Sequence, residues 1–80
     1  MLPECQLLTT LGCHLCEQAE DQLMPLVAVG LSIEVVDIAE QEAWVATYGL
    51  RIPVLRRLDT GAELDWPFDT AQAAVFVAPC

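Results

Sequence analysis

Along the chain, apolar runs are separated by short polar breaks, and the spacing of apolar positions changes from run to run. Residues 5–10 are short and mostly apolar, which predicts a first strand. Leu11-Gly12 reads as a turn. From about 13 to 29 the spacing becomes helical, with Glu17, Glu20, Asp21 and Gln22 polar and Leu15, Ala19, Leu23, Leu26 and Val27 apolar. Pro25 removes a backbone donor inside this helix and is expected to kink it, and Gly30 closes it. Residues 32–38 are rich in β-branched side chains and predict a second strand. A second helix is expected over 40–48, with Glu40 and Glu42 in its first turn and Gly49 after its last. Residues 53–57 predict a third strand. Asp59-Thr60-Gly61 is a turn, and 62–65 predict a fourth strand that completes a hairpin. Pro67 breaks the chain. Asp69 and Gln72 then have the spacing of a capping box, opening a valine-rich helix over 70–78 that is too short to stand without packing.

The resulting order is β-α-β-α-β-β-α: a small α/β domain over residues 1–80, its first β-α-β a right-handed parallel unit, with helices on both faces of the sheet. Eighty residues suffice for one domain, and a hydrophobic fraction of 55% is ample for its core. The longest apolar stretch, 23–31, contains Pro25 and Gly30 and is far short of the ~20 residues of a membrane span, so no membrane association is expected. Met1-Leu2-Pro3-Glu4 lacks a basic leader region, which predicts a cytoplasmic protein without a signal peptide. The formal net charge is −9, with twelve acidic residues against three arginines. Such a surface repels phosphate backbones and argues against nucleic-acid binding. The arginines, Arg51, Arg56 and Arg57, gather around Ile52-Pro53.

The chemistry lies in Cys13-His14-Leu15-Cys16. Two cysteines at i and i+3 on a first helical turn are close enough to form a disulfide. The unpaired N–H groups and dipole of the helix favour negative charge there, so Cys13, at the tip, is expected to have a lowered pKa and to exist partly as thiolate, the form that attacks disulfides. The setting of strand, turn, CxxC and helix separates this pair from a chance spacing. Cys5, in a strand, reads as a small buried hydrophobe, and Cys80 as a terminal thiol.

Three segments occur in order: Cys13 to Cys16, Tyr48-Gly49-Leu50-Arg51-Ile52-Pro53-Val54-Leu55, and Glu63-Leu64-Asp65-Trp66-Pro67-Phe68-Asp69. In these the chain resembles the small bacterial glutaredoxin-like proteins of the DUF836 type, within the thioredoxin-fold superfamily, and the resemblance covers essentially its whole length. It implies the minimal thioredoxin fold with a four-stranded mixed sheet. It further implies a cis Pro53 packed against the cysteine pair, with the backbone of Ile52 turned toward a bound peptide or glutathione.

The primary reading is a dithiol–disulfide oxidoreductase. Cys13 attacks, Cys16 resolves, and Arg51, Ile52 and Pro53 form the substrate-binding segment. No metal or organic cofactor is expected. Partners would be a disulfide-containing protein or a glutathione mixed disulfide, with glutathione a candidate co-substrate and the chain a monomer. Two rivals differ in class: a copper or zinc carrier, and a non-enzymatic thiol-redox adaptor. A structural zinc needs four ligands, and Cys13, His14 and Cys16 supply three at most. Arg51 is open to two readings, a contact to a substrate carboxylate or a loop arginine paired with acidic neighbours. Arg56 and Arg57 are expected at the edge or surface of strand 3. Trp66 and Phe68 are expected to pack in the core or hairpin, Asp69 to cap the last helix, and His14 to be an exposed first-turn residue.

Overall fold

The computed structural model describes residues 2–78. In chain order the elements are β1 (Glu4–Thr9), α1 (His14–Ala28), β2 (Ser32–Asp37), a 3-10 turn (Ile38–Glu40), α2 (Glu42–Tyr48), β3 (Val54–Arg57), β4 (Glu63–Asp65) and α3 (Thr70–Phe76). The strands form one open sheet in the order β2-β1-β3-β4. β1 and β2 are parallel, and the other two pairings are antiparallel. This is the expected minimal thioredoxin-like arrangement.

Alternation along β1 divides its side chains between two apolar layers. Cys5 and Leu7 join Ala19, Leu23, Leu55, Phe68, Ala73 and Val77, so α1 and α3 cover one face. Leu8 joins Val36, Ile38 and Val54, flanked by Trp44, Tyr48 and Ile52, so α2 covers the other. α1 and α3 are also joined by hydrogen bonds. The Thr70 hydroxyl donates to the Gln22 carbonyl at 2.7 Å, and the Thr70 backbone N–H donates to Gln22 Oε1 at 3.0 Å. The helix continues through Pro25. Proline leaves the carbonyl four residues earlier, that of Asp21, without its helical donor, and Thr70 supplies a donor one residue further on.

The end of α1 follows the expected pattern. Gly30 takes φ 111°, a backbone region closed to most side chains. Its N–H donates to the Val27 carbonyl, while the N–H of Leu31 reaches back to the Leu26 carbonyl, the paired bonds of a Schellman motif. α2 starts two residues later than expected. The Asp37 carboxylate accepts the Ala39 N–H at 2.9 Å and starts a 3-10 turn, after which Gln41 is extended. α3 carries the full capping box between Asp69 and Gln72.

Arg57 corrects the expectation of a surface residue. It is only 7% exposed. Its guanidinium donates to the Asp59 carboxylate at 2.7 and 3.0 Å, and to the carbonyls of Phe76 and Ala78 at 2.8 and 3.1 Å. The last carbonyls of a helix lack intrahelical donors, and a long cation beneath them satisfies that need and complements the dipole. Asp59 is held below the usual carboxylate range by its hydrogen bond from Arg57. Cys5 is buried beside Arg57, and burial pushes its thiol up. Cys80 lies outside the described residues. No helix among the described residues is long and apolar enough to cross a membrane.

Candidate active site

Cys13 is the N-cap of α1. Its backbone is extended (φ −81°, ψ 102°), and its sulfur accepts the Cys16 N–H at 3.1 Å. The preceding Gly12 has φ 74°, which lets the turn from β1 reverse tightly enough to place a cysteine at the cap. Cys13 and Cys16 are joined by a disulfide, with Cα atoms 5.2 Å apart. The two sulfurs differ in access, because Cys13 is half-buried and Cys16 is 4% exposed. Cys16 is the first member of the buried stripe of α1, in phase with Ala19 and Leu23. Leu15, which the sequence pattern counts among the apolar positions of this helix, is exposed. His14 is exposed beside Glu17, with Nδ1 and Oε2 3.6 Å apart.

A shallow cleft of about 200 Å³ opens at the pair, lined by Thr9, Thr10, Leu11, Gly12, Cys13, Cys16, Glu17 and Glu20. Leu11, at the turn tip, is 89% exposed. The acidic members Glu17 and Glu20 were read from the sequence only as the polar side of the helix.

Pro53 is buried, and the Ile52–Pro53 peptide bond is cis, as is Trp66–Pro67. Leu8 pairs with Val54, so extending the antiparallel register by one step sets Pro53 across from Thr9, which lines the cleft. The Ile52 N–H donates to the Tyr48 carbonyl at 3.0 Å, and the Pro53 carbonyl accepts the Trp66 N–H at 3.2 Å. The backbone group Ile52 has to offer a partner is therefore its carbonyl.

Arg51 is paired with acidic neighbours. It donates to both Asp65 oxygens at 2.8 and 3.2 Å and to Glu63 at 2.8 Å, and its guanidinium carbon lies 5.2 Å from the centre of the Tyr48 ring. The Tyr48 hydroxyl donates to the other Glu63 oxygen at 2.6 Å. The bonds from Tyr48 and then Arg51 hold Glu63 below the usual carboxylate range, and Arg51 does the same for Asp65. The same Glu63 bond raises the Tyr48 phenol. This network ties the end of α2 and the segment leading to Pro53 onto β4. Glu63 and Asp65 alternate on one strand, a spacing from which a shared partner could have been inferred but was not. Phe68 is buried in the core with its ring edge-on to Trp66, centroids 5.1 Å apart. Among the described residues no group of three or more His, Cys, Asp or Glu side chains gathers in a metal-binding arrangement.

The chain resembles solved structures along nearly its whole length. The X-ray structure of the structural-genomics target protein XcR50 from X. campestris is 40% identical, with 94% of this chain and 99% of that one covered and a TM-score of 0.78. The solution structure of XcR50 gives the same identity and TM-score over 95% and 96% of the two chains. The solution structure of protein Ne2328 from Nitrosomonas europaea is 25% identical over 98% and 94%, with a TM-score of 0.82. No curated protein matches the chain. The glutaredoxin-like domain family (DUF836) matches residues 4–77, from the first residue of β1 to just past α3, and the chain belongs to that family.

Proposed function

We propose that this protein is a dithiol–disulfide oxidoreductase acting through Cys13 and Cys16. The observation that carries the reading is the asymmetry of the pair. Cys13 is accessible at the helix cap with a backbone N–H aimed at its sulfur, and Cys16 is bonded to it from a buried position. In the reduced state the Cys16 N–H and the helix dipole favour negative charge on Cys13. The Cys13 thiolate attacks one sulfur of a substrate disulfide. That bond breaks, the leaving thiolate takes a proton, and a mixed disulfide forms. The Cys16 thiolate then attacks the Cys13 sulfur and releases the second substrate thiol. Two electrons have passed to the substrate, and the Cys13–Cys16 bond has formed. A cellular thiol, with glutathione a candidate, returns the pair to the dithiol.

In this reading the segment around Pro53, set across from Thr9 by the strand register, helps to hold the substrate. The Ile52 carbonyl accepts a hydrogen bond from an extended substrate backbone, as in strand addition. Arg51 acts as a positioning residue, holding this segment through Glu63 and Asp65. A reducing compartment such as the cytoplasm suits a dithiol of this kind.

The test is a single turnover. Fully reduced protein is mixed with hydroxyethyl disulfide, quenched in acid and analysed for thiols. Wild type should release two molecules of 2-mercaptoethanol for each Cys13–Cys16 disulfide formed, and Cys13→Ser should release little or none. Equal release by Cys13→Ser would overturn the assignment.

A further inference from the structure

Glu20 lines two concavities. One is the cleft at the cysteine pair; the other is a groove of about 340 Å³ between α1 and β2. The two adjoin at Glu20 and together flank one side of α1, forming a divided trough. Its far section has an apolar floor of Leu7, Leu23, Ile33 and Val35, with Met24 and Val27 along the helix side. Met24 and Val35 are 57% and 55% exposed, so the apolar rim faces solvent above the buried Leu7 and Leu23. The acidic side chains on the trough are Glu17, Glu20 and Asp21, and no arginine lines either section. Arg51 is paired with Glu63 and Asp65, and Arg57 with Asp59 and the end of α3. The chain has no lysine.

We infer that the substrate of the cysteine pair is a disulfide-bearing polypeptide segment, cationic and apolar, that lies along this trough with its disulfide at Cys13. The inference rests on the oxidoreductase reading above. Cys13 and Val27 are ~21 Å apart along a helix rising ~1.5 Å per residue, the reach of about six residues of extended chain. Apolar side chains of such a segment cover Met24, Val27 and Val35, and basic ones meet Glu17, Glu20 and Asp21. Oxidised glutathione, with one residue on either side of each cysteine, is too short to span the trough. Its carboxylates outnumber its amines, so it meets like charge at the cleft and in the field of a chain of net charge −9.

The test compares single-turnover rates of the reduced protein with four substrates: hydroxyethyl disulfide, oxidised glutathione, and two peptides sharing one internal disulfide. One peptide carries Arg and Leu beyond its second cysteine, and the other Glu and Leu. Every rate is divided by the same variant's rate with hydroxyethyl disulfide. The cationic peptide should exceed both the acidic peptide and glutathione by about tenfold. That preference should fall to about twofold in ~0.5 M salt and in the Glu20→Gln/Asp21→Asn variant. Val35→Asn should slow both peptides relative to hydroxyethyl disulfide. Glutathione equal to the cationic peptide, or a preference indifferent to salt and to the double variant, would overturn the proposal while leaving the redox reading intact. Failure to reduce any of the four would remove both. Val35→Asn changing the oligomeric state by light scattering, with peptide rates unmoved, would assign the groove to a second copy of the chain and overturn the proposal.

Discussion

Arg51 and Arg57 lie six positions apart and reach opposite ends of the β3–β4 hairpin, one half-buried and one buried. Their clustering was visible in the sequence, and so was pairing with acidic neighbours as one fate for Arg51. The burial of Arg57 was not visible, because its partners include the end of a helix that comes nineteen residues later in the chain. Cys16 was recognisable as a thiol, but its place in the buried stripe with Ala19 and Leu23 was not read, because Leu15 was counted there instead. The network at Arg51 has a pH signature. Glu63 and Asp65 have folded pKa values below their ordinary ones, so their contribution to stability is fully present above the ordinary carboxylate range of ~4 and is lost as pH falls through the lowered folded values. Arg51→Met should therefore be less stable than wild type at neutral pH, by a small margin because the pairs are partly exposed. The gap should narrow as pH drops below ~4. Urea unfolding of both proteins across this range measures it, and a gap independent of pH would show that the ion pairs do not set the stability of this segment.

At the scale of elements, the signals that come from the chain's own neighbours were reliable. The strand periods, the Gly30 stop and the Asp69–Gln72 capping box depend on residues within a few positions, and each element stands within a residue or two of where these place it. The start of α2 was set differently, because Asp37 caps a 3-10 turn before the helix can begin. The exposure of Leu15 came from tertiary placement, since α1 turns Cys16 rather than Leu15 toward the sheet. The capping box offers a direct check, because a seven-residue helix depends on its end contacts. Asp69→Ala should lower stability by ~1 kcal/mol, whereas Asp69→Asn should stay within a few tenths of wild type. Chemical denaturation distinguishes the two, and equal losses would mean that charge rather than hydrogen bonding matters at this cap.

At the scale of the whole molecule, the sheet separates two apolar layers. The turn after β1 delivers Cys13, and the segment before β3 delivers Pro53 opposite Thr9. The order of elements and the cysteine pair could be read from periodicity and spacing. The place of Pro53 opposite Thr9 was not legible locally, because residues far apart in the chain meet only through strand pairing. The trough along α1 was hidden because its floor comes from three elements and its acidic side reads locally as an ordinary solvated helix face. The account as a whole depends on distinct roles for the two sulfurs, and trapping tests those roles most directly. Reduced Cys16→Ser and Cys13→Ser proteins are each incubated with a disulfide substrate, and their intact masses are recorded after acid quench. Cys16→Ser should accumulate a stable mixed disulfide at Cys13, because the attacking thiol is present and the resolving one absent. Cys13→Ser should accumulate little or none. A mixed disulfide forming preferentially on Cys16 in the Cys13→Ser protein, or on Cys5 in either, would contradict the account.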